Sequence, residues 1–125
     1  MDVRNATVAI ADDHAPSRKV IRHFLSRCNF IVILEADNGK KLFEQLESAT
    51  VLPDICLLDI NMPEMNGLET ARRLKAKWPS MKILAISGDY QYNLGKIKQM
   101  GADGFIHKNC TLVELNEAVQ QVLKI

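Results

Sequence analysis

The stretch Thr7-Val-Ala-Ile-Ala-Asp-Asp-His14 is an unbroken apolar run that stops on two adjacent carboxylates. It has the length of a strand. Runs of the same kind recur at Phe30 to Leu34, Ile55 to Leu58, Ile83 to Ile86 and Gly104 to Ile106. They are mostly continuous rather than alternating, which is the pattern of a parallel sheet covered on both faces. The stretches between them are longer and repeat their apolar residues at helical spacing. Val20, Phe24 and Leu25 mark the first, and Leu42, Phe43 and Leu46 the second. Leu68, Ala71 and Leu74 mark a third helix, which must stop before Pro79 because proline clashes inside a helix. A fourth is predicted from about Gln91 to Met100, closing at Gly101 as a left-handed cap, and a fifth follows Thr111, whose partner Glu114 completes a capping box.

Strands alternating with helices specify an α/β doubly wound architecture, since parallel strands need right-handed crossovers and the crossover helices then cover the sheet. We expect a five-stranded parallel sheet, flavodoxin-like, with strand order 2-1-3-4-5 and helices on both faces. The chain has 125 residues, 47% hydrophobic and 25% charged, enough for one core, so a single domain over residues 1–125 is expected. An end that coincides with the fifth helix is consistent with a piece excised from a longer protein.

Sixteen basic and fifteen acidic residues, 16 against 15, leave a net charge of +1, so the charge total gives no reason to expect nucleic-acid or membrane-surface binding by this domain. Cys28, Cys56 and Cys110 form no Cys-x-x-Cys pair and are odd in number, which argues against a secreted disulfide framework and for the reducing cytoplasm. No apolar run approaches the roughly 20 residues that span a bilayer.

In an open α/β sheet, ligands bind outside the carboxyl ends of the strands. The strand ends here carry Asp12 and Asp13, then Asp59 and Asn61, then Ser87, Gly88 and Asp89, then Lys108. Three carboxylates on one rim repel one another unless a hard divalent cation joins them, and magnesium suits such an oxygen-rich site. Lys108 and Ser87 complement the oxygens of a phosphoryl group, and Asp59, set by its apolar strand, is the candidate nucleophile towards phosphorus.

Four stretches, Ala11-Asp-Asp-His14, Leu57-Leu-Asp-Ile-Asn-Met-Pro-Glu-Met-Asn-Gly67, Leu84-Ala-Ile-Ser87 and Gly101-Ala-Asp-Gly-Phe-Ile-His-Lys108, occur in order across the chain. Together they resemble the receiver domain of bacterial two-component response regulators. The resemblance implies that Asp59 accepts a phosphoryl group from a histidine kinase or phosphotransfer protein, and that Asp13, Asp59 and the Asn61 carbonyl ligate Mg2+, with Asp12 acting through water. It further implies that Ser87 and Lys108 hold the phosphoryl oxygens. Ser87 and Phe105 then form a switch that reshapes the surface of the fourth helix, fifth strand and fifth helix, with homodimerisation on phosphorylation. The segment from Gly101 through Thr111-Leu-Val-Glu-Leu115 is most similar to the subfamily with a LuxR-type helix-turn-helix output, which implies transcriptional control by a parent protein. No such output domain lies in these residues.

The sequence departs from that family at Asn109, where a proline is usual and often follows a cis bond, and at Phe105, where a tyrosine is often found. Switching at Phe105 is therefore expected to be a packing event without a hydroxyl. Small Gly88, with Asn61 and Asp89 to orient water, is expected to tune dephosphorylation. Plainer readings stand beside these: Asp12-Asp13 as a helix cap, Lys108 as a surface lysine, His14 as peripheral rather than a zinc ligand. A haloacid-dehalogenase-type phosphotransferase would need Asp-x-Asp after the first strand, which is absent. A pseudo-receiver would lack Asp13, Asp59 or Lys108, and a flavin binder would carry hydroxyls where this first strand leads into carboxylates.

Overall fold

The computed structural model describes residues 5–62, 67–88, 94–99 and 101–124. Within them, strands and helices alternate as β1 (Thr7–Ala11), α1 (Ala15–Arg27), β2 (Ile31–Ala36), α2 (Gly39–Ser48), β3 (Ile55–Asp59), α3 (Gly67–Lys77), β4 (Lys82–Ser87), α4 (Leu94–Gln99), β5 (Gly104–His107) and α5 (Leu112–Leu123). All strand pairs are parallel, in the order β2-β1-β3-β4-β5. This is the expected order. β1 ends with its apolar stretch at Ala11, while the other strands run one or two residues past theirs, so that Asp59 and Ser87 belong to the sheet itself.

Why the runs are continuous is visible in how the core divides. Alternate residues of β1, β3 and β4 point to opposite faces, and both faces are covered. Ala9, Cys56, Leu58 and Ile83 pack with Leu42 and Leu46 of α2, Leu74 of α3 and Ile97 of α4. On the other face Val8, Ile10, Leu57 and Ile86 pack with Ile21 and Leu25 of α1 and with Leu115, Val119 and Val122 of α5. Each leucine or isoleucine buried in this way contributes roughly 1.5–3 kcal/mol from apolar area removed from water.

Two expectations need correction. β2 is an edge strand, and its Ile31 and Ile33 are 48% and 38% exposed, so this apolar run is not buried on both faces. Val20, read as part of the inward stripe of α1, is 51% exposed; Ile21 and Leu25 carry that packing instead. For the fourth helix the described residues begin at Leu94, and Gln91 and Met100 lie outside them.

The punctuation follows the physics of helix ends. α3 stops at Lys77, ahead of Pro79, and Trp78 packs its ring 5.4 Å from Phe43 of α2. Gly101, with φ at 97°, turns the chain after α4, in a region of backbone space that costs a side-chain-bearing residue energy. Thr111 and Glu114 form the full capping box of α5.

Candidate functional site

Four strands deliver their carboxyl ends to one rim, and the sheet register sets the heights. Ala11 pairs with Leu58, Asp59 with Ile86, and Ser87 with His107. One residue beyond each end stand Asp12 and Lys108, and their backbones remain tied to the sheet: Asp12 N–H donates to Ala36 O at 3.1 Å, and Lys108 N–H to Ser87 O at 3.1 Å. The side chains therefore project from a rigid frame.

Carboxylate oxygens of Asp12, Asp13 and Asp59 lie within 4.8 Å of one another, the one such acidic cluster among the described residues. Asp12 and Asp59 are buried, at 1% and 2% exposure, while Asp13 is open to solvent. Lys108 Nζ donates to Asp59 Oδ2 at 2.9 Å and to Asp12 Oδ1 at 3.2 Å. Asp59 Oδ1 accepts the Asn61 N–H at 3.0 Å, and the Asn61 amide donates to the buried Ser87 hydroxyl at 3.5 Å. Asp12 Oδ1 also accepts the His14 N–H, at 2.9 Å. Asp12 Oδ2, in contrast, is buried without a hydrogen-bond partner among the described residues.

The electrostatics follow from this packing. Burial pushes the Asp59 carboxyl up to about 6, against the hydrogen bonds from Lys108 and the Asn61 N–H and the charge of Lys108, while Asp12 adds to the rise. For Lys108, burial opposes the charge, but the hydrogen bond and charge of Asp59, with help from Asp12, outweigh it and hold the ammonium above the ordinary lysine range. The donor set fits a small hard cation. An orphaned, buried carboxylate oxygen at Asp12 beside an exposed Asp13 and an Asp59 with raised proton affinity are what a divalent ion would relieve.

Asp12, Asp13, Asp59, Asn61, Ser87 and Lys108 thus meet in space. Gly88 is exposed beside them, and Asp89 lies outside the described residues. Phe105 is half-buried against the face that α2, α3 and α4 cover, with its ring 5.4 Å from that of His107 at 71°. No cis peptide bond occurs among the described residues, so Lys108-Asn109 is trans. The cap of α1 is His14 rather than the acid pair: its ring nitrogen accepts the Ser17 N–H at 3.3 Å. A residue that spacing alone does not single out is Arg18, whose Nη1 donates to the backbone oxygen of Asp12 at 2.6 Å. Its signal is faint, an arginine in the first turn of α1 after the acid pair, with an acidic partner, Glu35, on the neighbouring strand.

The profile of the response regulator receiver domain matches residues 8–120. The chain is 36% identical over 118 residues to the nitrate/nitrite response regulator protein NarL of Escherichia coli K12, covering 93% of this chain and 54% of NarL. It is 36% identical over 117 residues to the chemotaxis protein CheY of Listeria monocytogenes, covering 92% of this chain and 96% of CheY. It therefore spans about half the length of the first relative and nearly all of the second. Among solved structures, the signal receiver domain of the NarL response regulator from Mycobacterium tuberculosis superposes with a TM-score of 0.86 at 32% identity, covering 97% of this chain and 98% of that one. With its fold, its acid rim and its residues 8–120 all agreeing, the chain belongs to the response regulator receiver domain family, the signalling modules of two-component systems.

Proposed function

We propose that Asp59 is the phosphoacceptor of this domain, and that Asp13, Asp59 and the Asn61 carbonyl hold Mg2+ with Asp12 behind them. The observation that carries the reading is the convergence of three carboxylates within 4.8 Å, one oxygen of which is buried and unpartnered, with Lys108 2.9 Å from the reactive group. Magnesium, when bound, supplies the charge that balances the carboxylates and the transferring phosphoryl oxygens. A carboxylate oxygen of Asp59 forms a bond to phosphorus as the bond from phosphorus to the donor imidazole nitrogen breaks. That nitrogen leaves with the electron pair. Lys108 moves its hydrogen bond from Asp59 to a phosphoryl oxygen, and the Ser87 hydroxyl donates to another. The domain's own catalysis extends to this transfer and to the later hydrolysis, in which Asn61, Gly88 and Asp89 admit and orient water.

The donor in this reading is a histidine kinase or phosphotransfer protein. A cavity of about 220 Å3 lined by Pro16, Val20, Ile21, Phe24, Lys108 and Cys110 supports it, offering an apolar seat beside Lys108 for the helix that bears the phosphohistidine. The exposure of Val20 fits that use. Once Asp59 is phosphorylated, Ser87 and Phe105 relay the change to the surface of α4, β5 and α5, where a second copy or an output domain binds and transcription is controlled. Among the described residues no helix is long and apolar enough to cross a membrane, and cysteine usage supports a cytoplasmic setting.

The test is treatment with acetyl phosphate with and without Mg2+, followed by intact mass measurement of the chain and of Asp59→Ala. A magnesium-dependent phosphoryl adduct absent from Asp59→Ala is expected. No adduct on the unaltered chain would sink the reading.

A further inference from the structure

Asp12 is held at its backbone and at Oδ1, and the hold on its carbonyl oxygen comes from a residue outside the acid rim. Its N–H is tied to β2 through Ala36, its Oδ1 takes the His14 N–H and the Lys108 ammonium, and its carbonyl oxygen takes the Arg18 guanidinium at 2.6 Å. Arg18 is itself anchored. Its Nε stands 3.5 Å from Glu35 Oε1, Glu35 is gripped by both contacts of Arg22 at 3.0 and 2.9 Å, and the Glu35 carbonyl accepts from Gln45 of α2 at 3.2 Å. The result is a chain of polar contacts from α2 through β2 and α1 to the peptide that joins Asp12 and Asp13. A planar arginine fork suits this role, because one end can hold a carboxylate while the other reaches a carbonyl.

We propose that Arg18 is a positioning residue of the acid rim: locked by Glu35, it fixes the Asp12-Asp13 peptide and so presents both carboxylates for the divalent cation. This rests on the reading of that rim as a cation site. Arg18 touches no reacting atom, its contacts being the Asp12 carbonyl oxygen and Glu35.

Charge and position make opposite demands, which lets one measurement separate them. Arg18 is a cation near a cation site, so its charge alone opposes Mg2+, and Arg18→Gln would then bind the ion more tightly. If Arg18 positions the loop, the same variant binds more weakly, by about tenfold, as is usual when a group that orients metal ligands is lost. Arg18→Lys keeps the charge and loses the fork, so electrostatics alone predict no change there and positioning predicts a partial loss. Lys19→Gln removes an equal charge from the neighbouring, exposed position of α1, outside the contacts that join Arg18, Glu35 and Asp12, and serves as the control.

The experiment titrates Mg2+ into the full chain and each variant, following Kd and the amide resonances of Asp13 and His14, with urea unfolding recorded without metal. Weaker Mg2+ binding in Arg18→Gln, a smaller loss in Arg18→Lys, an unchanged Lys19→Gln and displaced Asp13 resonances before any metal is added establish the role. Unchanged or tighter binding in Arg18→Gln overturns it, as does an equal loss in Lys19→Gln. Should Arg18→Gln fail to unfold cooperatively, Arg18→Lys decides alone: an unaltered Kd there overturns the proposal. If the unaltered chain itself takes up no Mg2+, the cation-site reading has failed rather than the role of Arg18.

Discussion

Lys108 Nζ donates to Asp59 Oδ2 across 2.9 Å, joining residues 49 apart in the chain and serving as the counterion of a buried carboxylate when no metal is present. Removing one partner of a buried ion pair leaves the other uncompensated. Lys108→Ala should therefore lower the stability of the metal-free domain by about 2 kcal/mol, less than a fully buried pair would show because Lys108 is 21% exposed. In the proposed cation site Mg2+ takes over the neutralisation, so it should stabilise Lys108→Ala more than the unaltered chain. Urea titrations with and without Mg2+ measure both, and an equal loss in the two conditions would show that the lysine does not act as the counterion.

The raised carboxyl of Asp59 predicts a pH dependence of defined sign. Its folded-state pKa, about 6, stands above the ordinary 3.8, so between these values the folded protein holds a proton that the unfolded chain does not. This group's contribution to stability thus grows as pH falls through 6 towards 4, and above 6 its buried charge is a constant cost. Asp59→Asn should be more stable than the parent at pH 7 without metal, with the gap closing on acidification to pH 4. In the proposed site protons and Mg2+ compete for the same oxygens, so Mg2+ affinity should fall below pH 6. Paired unfolding curves at pH 7 and 4 check the first part, and a gap that does not change with pH would contradict it.

What could be read from the chain, and what could not, divides along physical lines. The runs at Ile55 and Ile83 are legible because burial on both faces of a parallel sheet demands apolar residues at every position. The edge strand β2 reads as a core strand for the same reason, since Ile31 and Ile33 carry no mark of having lost their cover. Asp12, Asp59 and Lys108 are legible because each sits at a strand end. Their mutual arrangement is not: that Lys108 lies on the two carboxylates instead of standing free as an anion cradle depends on register between strands far apart in sequence. His14 is a weak cap former by type, so its place ahead of α1 hides behind the acid pair, whose side chains look better suited to the task. Arg18 is hidden more completely, because its partner is a backbone oxygen, which every residue carries.

Gly67 and Gly88 should respond in opposite ways to a methyl group. A Cβ at Gly67 would stand 2.3 Å from the Asp59 carbonyl oxygen and 2.6 Å from the Ile60 Cα, both backbone atoms that cannot rotate aside. Gly67→Ala should cost about 1–3 kcal/mol as the backbone shifts, and weaken Mg2+ binding because the shift falls on Asp59. At Gly88 nothing among the described residues lies within 4 Å, so Gly88→Ala should change stability by less than about 0.5 kcal/mol. Denaturant midpoints compare the pair directly. A harmless Gly67→Ala would mean that the start of α3 can move away from β3 at little cost.

The lifetime of the phosphoryl group offers the final test, because Gly88 lies exposed next to Ser87 with no described residue where its side chain would stand. If water reaches the phosphoryl group through that space, filling it should slow hydrolysis while leaving the fold intact. Gly88→Val is expected to lengthen the half-life of the phosphorylated chain severalfold with its urea midpoint little changed. Asp89→Ala should also lengthen it if Asp89 orients the attacking water. The decay of the adduct, followed by mass after removal of acetyl phosphate, distinguishes the two. Slow decay in Gly88→Val alone assigns control to access. Slow decay in Asp89→Ala alone assigns it to orientation, and unaltered decay in both would leave Asn61, with its 3.5 Å contact to Ser87, as the residue to vary next.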